Sequence, residues 1–147
     1  VADDLLTPTV AAEAYEVRRT PWRPQSLLYP AVFGGPTAVT VLGLVNGARL
    51  GVSRRATMAV AGAGVAALAA RIAVTLWLSA AGTERPSRVI GAVAGALAWL
   101  AVAAVQKPRF RAYELRGGEP ASLWGPGLAA VLVCGFAEAA LILAVTS

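Results

Sequence analysis

Four apolar runs, each long enough to cross a bilayer, are separated by short stretches in which the arginines gather. No other feature restricts the fold as strongly. A helix of about 17–25 mostly apolar residues spans the ~30 Å hydrocarbon core and pairs its own backbone groups, which lipid cannot do for it. The runs cover residues 27–45, 56–81, 89–105 and 123–145. Only 14% of the 147 residues are charged, against about 25% in soluble domains. The expected fold class is therefore all-α: a four-helix transmembrane domain over residues 27–147, behind a tail at 1–26.

The tail is mixed in character. Thr9 can cap a short helix through about Arg19, with Val10, Ala14 and Val17 on one face, before Pro21 and Pro24 end it. With Trp22 between Arg19 and Arg23, this piece reads as an amphipathic interfacial anchor, or else as a partly ordered tail. Val1-Ala2-Asp3-Asp4 offers no basic stretch ahead of a short apolar core, so no signal peptide is expected. Four crossings would put both ends of the chain on one side. With Arg71 left aside, basic residues then number seven in the first and third loops and five in the tail and second loop. That count favours the termini outside.

The net charge of +5 is carried by twelve arginines and Lys107. Most lie between apolar runs, where positive charge orients membrane proteins, so nucleic acid is not an expected partner. The chain has no histidine and one cysteine, Cys134. A disulfide within the chain, a histidine-ligated metal or haem and a histidine-based triad are thereby excluded. No phosphate-binding loop, hydrolase elbow or metal-ligand cluster is present, and no cofactor is expected. The alanine-, glycine- and arginine-rich composition points to a bacterium with a GC-rich genome.

Two ionisable residues interrupt the spans, Arg71 and Glu138. Each costs several kcal/mol alone in hydrocarbon, so each needs a partner or water. Both lie 15 residues from the start of spans that run in the same direction, about 22 Å deep at 1.5 Å per residue. They can meet at one level, either as a charge pair beside a proton, ion or headgroup path, or as a pin fixing helix rotation. Gly34, Gly35 and Pro36 mark a helix break, read as a packing kink or as backbone opened toward a substrate. Gly91 and Gly95 form a small-xxx-small pattern for close helix packing. Lys107, Arg109 and Arg111 fall in the longest loop, 106–122, interleaved with Phe110 and Tyr113. They suit anionic headgroups or simply an inner loop.

The first run reads Leu28-Tyr29-Pro30, then Phe33-Gly34-Gly35-Pro36-Thr37-Ala38, then Asn46 and Leu50-Gly51. It resembles the first helix of a widespread group of small, uncharacterised bacterial inner-membrane proteins with a Phe-x-Gly-Gly-Pro core. Gly117-Gly118 followed by Trp124 is similar to that group's last loop. The likeness covers about a third of the chain and departs from the pattern at Pro30 and Gly47. It implies an inner-membrane location and carries no activity.

Two functional classes follow. One is a non-catalytic accessory or structural subunit of a larger membrane complex, with partners among other membrane subunits or further copies of itself. The other is a small oligomeric transporter or channel built on the Arg71–Glu138 pair.

Overall fold

In the computed structural model, which describes residues 17, 19–82 and 87–146, the chain is an all-α bundle. A 3-10 turn, Pro24–Leu27, leads into α1, Leu28–Leu50. α2 covers Arg54–Ala80, α3 Ser87–Leu115 and α4 Trp124–Thr146. All four are long and apolar enough to cross a membrane, and the protein is a multi-pass membrane protein. The expected tail helix before Arg19 and the 83–86 part of the second loop lie outside the described residues.

α1 is not a straight span. Gly35 has φ 76° and ψ −172°, outside any helix. Eighteen residues of straight helix would hold Asn46 about 27 Å from Leu28. Yet the Trp22 amide donates to Asn46 Oδ1 at 2.7 Å. The six residues from Trp22 to Leu28, four of them coiled in the 3-10 turn, cannot bridge that gap, because even a fully extended chain gains only ~3.5 Å per residue. α1 therefore turns back on itself at Gly35. Neighbouring contacts agree. Trp99 Nε1 donates to the Pro24 carbonyl at 2.9 Å, and Gln106 Nε2 to the Gly43 carbonyl at 2.5 Å. A Cβ on Gly95 would strike the Ala31 carbonyl, and one on Gly43 would strike Val102. Along α3, the first arm of α1 (residues 28–34) runs one way and the second arm (36–50) the other.

The hairpin changes the topology expected from sequence. α2 leaves from the face where the hairpin begins and ends, α3 returns to it, and α4 leaves it again. The segment 19–23 and Thr146 lie on opposite faces of the bundle, where four full crossings would set them on the same one. The cause is one glycine conformation that hydropathy cannot register.

α1 is also the centre of the bundle. It packs on α3, α4 and α2, and its two arms bury Ala31, Ala38, Val39 and Leu42 together with Val102 of α3 and Ala130 of α4. This meets the condition under which a helix can break at membrane depth: the broken backbone lies inside protein, away from lipid.

α3 corrects a second expectation. It runs ten residues past 105, so Lys107, Arg109 and Arg111 lie on a helix. Val102, Gln106 and Phe110 recur every four residues and are buried, and this continuing face holds the extension to the bundle. Trp22, expected at the interface, is 3% exposed beneath Arg49, whose guanidinium stacks 4.0 Å from the ring centroid.

Candidate functional site

The hairpin turn gathers most of the residues singled out in the sequence. Pro36 has no amide hydrogen to return to the preceding turn, which opens the second arm as a helix N-terminus. The next amide, Thr37 N–H, donates to Glu138 Oε2 at 3.2 Å. A carboxylate at a helix N-terminus meets both free donors and the positive end of the helix dipole. Glu138 reaches this position because side chains on a helix lean toward its N-terminus, and α4 starts on the face that the hairpin leaves. Its other oxygen accepts from Arg71 Nη1 of α2. The side chains of Glu138 and Arg71 are 1% and 13% exposed.

The glycines make room for this pair. A Cβ on Gly35 would stand 2.8 Å from Arg71 Nη1 and 2.9 Å from Glu138 Oε1. A Cβ on Gly91 would stand 2.7 Å from Arg71 Cζ. Gly91 thus admits a guanidinium, while Gly95, one turn on, admits the backbone of the first arm. The two glycines of the small-xxx-small pattern do different work.

A second polar cluster closes the open end of the hairpin. Asn46 Nδ2 donates to the Trp22 carbonyl at 3.0 Å and to Gln106 Oε1 at 2.8 Å. With the Trp22 amide bond already described, Asn46 clamps both backbone groups of Trp22. Arg49 Nη1 donates to the Thr20 carbonyl at 3.0 Å, and Ala121 N–H to the Pro21 carbonyl at 2.9 Å. The segment from Thr20 to Arg23 is thereby tied to α1, α3 and the approach to α4. The sequence marks Asn46 only as a motif residue of the first run and gives Gln106 no role. The available signal was an amide at the end of each of two apolar runs.

The basic group near the end of α3 separates. Arg109 Nη1 donates to the Gly51 carbonyl at 2.5 Å and the Leu50 carbonyl at 3.3 Å, and so caps the C-terminus of α1. Gly51 there has φ 64°, the left-handed conformation that ends many helices. Lys107 and Arg111 instead lie on the outer face of α3 beside Trp99 and Leu100, bordering a shallow groove.

Beyond the hairpin turn lies a groove of about 720 Å³ with Gly35 and Arg71 at its inner end. Its walls are the first turns of α3, from Arg88 to Ala92, and the stretch of α4 from Val131 to Ala139. α3 and α4 barely touch each other. The hairpin separates them on one side of the bilayer, and the groove takes its place on the other. Among the described residues, no group of three or more His, Cys, Asp or Glu could hold a metal ion. No family model, curated protein or solved structure matches the chain.

Proposed function

We propose that the protein is a non-catalytic accessory or structural subunit of a larger membrane complex. One observation carries this reading. The buried polar side chains of the described bundle, Asn46, Thr75, Gln106 and Glu138, are all engaged in holding the fold. Glu138 closes the hairpin turn, while Asn46 and Gln106 close its open end. Thr75 Oγ1 donates to the Arg71 carbonyl at 2.8 Å. A proton or ion path would need further polar groups facing it, and catalysis would need several convergent groups around a reacting atom. The resemblance to small bacterial inner-membrane proteins supports a place in that membrane.

The hairpin also suggests an orientation. Arg19, Arg23, Arg49, Arg54, Arg55, Lys107, Arg109, Arg111 and Arg116 all belong to the face where the hairpin opens, while Arg88 belongs to the other. Positive charge collects in the cytoplasm, which assigns the arginine-rich face to that side and Thr146 to the opposite one.

Native mass spectrometry of the protein drawn from its own membrane in mild detergent tests the subunit reading. Fixed-ratio release with larger, different chains is the expected result. A homo-oligomer without partners, showing ion flux that Glu138→Gln abolishes, would replace it with the transporter reading. That second reading has its own support: broken helices whose ends meet near the bilayer midplane are how several transporters build their binding sites.

A further inference from the structure

We infer that the groove between α3 and α4 is a binding site for one anionic phospholipid of the leaflet on the Thr146 side, with its phosphate on Arg88 and an acyl chain against the groove walls. The inference is independent of whether the chain serves as a subunit or as a transporter.

The groove's size sets the first limit. Its α4 wall runs from Val131 to Ala139, eight helical steps or about 12 Å at 1.5 Å per step. That is close to the depth of one leaflet, half of the ~30 Å core. A partner helix crossing the bilayer would need a seat more than twice as long. The chemistry of the walls sets the second limit. Val89, Leu132 and Phe136 are more than half exposed along the groove, and Phe33 at the hairpin turn shares it. A buried water needs two to four polar partners, and such walls do not supply them, so in a bilayer the space fills with hydrocarbon.

Charge selects the headgroup. Arg88 is the second residue of α3 and an exposed side chain at the groove's outer end. The other cation lining the groove, Arg71, is neutralised by Glu138. Among the described residues the groove therefore presents one net positive charge, on a long side chain at the outer end of an apolar slot. A zwitterionic lipid matches the slot equally well but gains less from the charge. One basic residue beside an anionic headgroup corresponds to about a fivefold preference.

The test titrates the whole protein in detergent with phosphatidylglycerol or phosphatidylcholine of identical chains and counts bound lipids by native mass spectrometry. One phosphatidylglycerol should be retained with about a fivefold preference. Arg88→Gln should abolish that preference, while Lys107→Gln with Arg111→Gln on the opposite face should leave it. Ala139→Trp, which fills the slot, should lower retention of both lipids. Circular dichroism confirms that each variant remains helical. The inference fails if Arg88→Gln keeps the preference, if the Lys107 and Arg111 changes remove it, or if Ala139→Trp leaves retention intact. It also fails if Arg88→Gln instead releases a co-purifying protein, because the groove would then seat a partner chain.

Discussion

Replacing Glu138 with glutamine removes one charge and leaves the shape of the hairpin site almost unchanged. The glutamine amide oxygen could still accept the Thr37 amide, so the cap is weakened but kept. What is lost is the carboxylate beside Arg71, whose side chain is 13% exposed and whose guanidinium lies against Gly91 and Gly35. Removing one partner of a buried ion pair costs about 3–5 kcal/mol, because the remaining charge must be solvated by a site not built for it. Loss of a charged N-terminal cap belongs to the same change. The expected cost of Glu138→Gln is therefore about 3 kcal/mol, the lower end of that range, since the glutamine retains one hydrogen bond. Arg71→Met should cost a similar amount. The double variant, with no buried charge left, should be more stable than the sum of the single losses implies, by about 2 kcal/mol. Equilibrium unfolding in mixed micelles, followed by far-UV circular dichroism, measures all three. If each single change costs under ~1 kcal/mol and the two add, the pair does not hold the hairpin and the reasoning is wrong.

Further outcomes follow from the same geometry. Gly35→Ala should cost about 2–4 kcal/mol in the same assay, since its φ of 76° disfavours any Cβ and the added atom meets the ion pair. Gly62→Ala, in a helix with nothing within 4 Å, should be neutral or gain up to ~1 kcal/mol. Equal effects at the two glycines would contradict the hairpin account. Asn46→Ala should cost about 2–4 kcal/mol by leaving the buried Trp22 backbone and the Gln106 side chain short of partners. It should also speed hydrogen exchange at Trp22, and unchanged exchange there would count against the clamp. In a Cys134→Ser background, cysteines at 19 and 119 should react with an impermeant thiol reagent from one side of a sealed vesicle, and a cysteine at 81 from the other. Opposite labelling of 19 and 119 would show that α1 crosses the bilayer.

The helices were legible because lipid imposes a composition that few other environments tolerate. Their boundaries were less so. α3 outran its apolar run because a helix continues as long as one face stays buried, and Phe110 keeps that face buried among charged neighbours. The depth comparison placed Arg71 and Glu138 at one level, and the structure sets them in contact. It could not show that they meet at Gly35, since nothing in hydropathy separates a kink from a reversal. Gly34-Gly35-Pro36 marked where the helix breaks. The angle of the break is set by partners distant in sequence: Glu138 at the turn, Asn46 and Gln106 at the open end. Arg109 misled for the opposite reason. A basic residue among basic residues reads as surface charge, and only the position of Gly51 turns it into a helix cap.

The hairpin also accounts for a feature of the sequence that four crossings leave unexplained. If α1 crossed, its two ends would lie on different faces and the ten described basic residues outside the spans would divide seven to three, a weaker bias. With α1 turned back at Gly35, Arg19 and Arg23 join the residues around Arg54 and Arg109, and nine of the ten described basic residues outside the spans share one face. Positive charge is the main determinant of orientation during insertion. An arrangement that makes it nearly one-sided inserts with less ambiguity than one that splits it. The cost of a half-depth reversal is a set of backbone groups that lipid cannot satisfy. Glu138 takes up the Thr37 amide directly, and the surrounding α2, α3 and α4 keep the remainder of the turn out of lipid. On this argument the ion pair is required by the reversal, and a variant lacking both charges should be under pressure to straighten α1. In the thiol-labelling assay, a fraction of Arg71→Met/Glu138→Leu chains should then expose a cysteine at 19 on the same side as one at 81. Labelling identical to the parent would show that Gly35 and the Asn46 clamp are sufficient to hold the reversal.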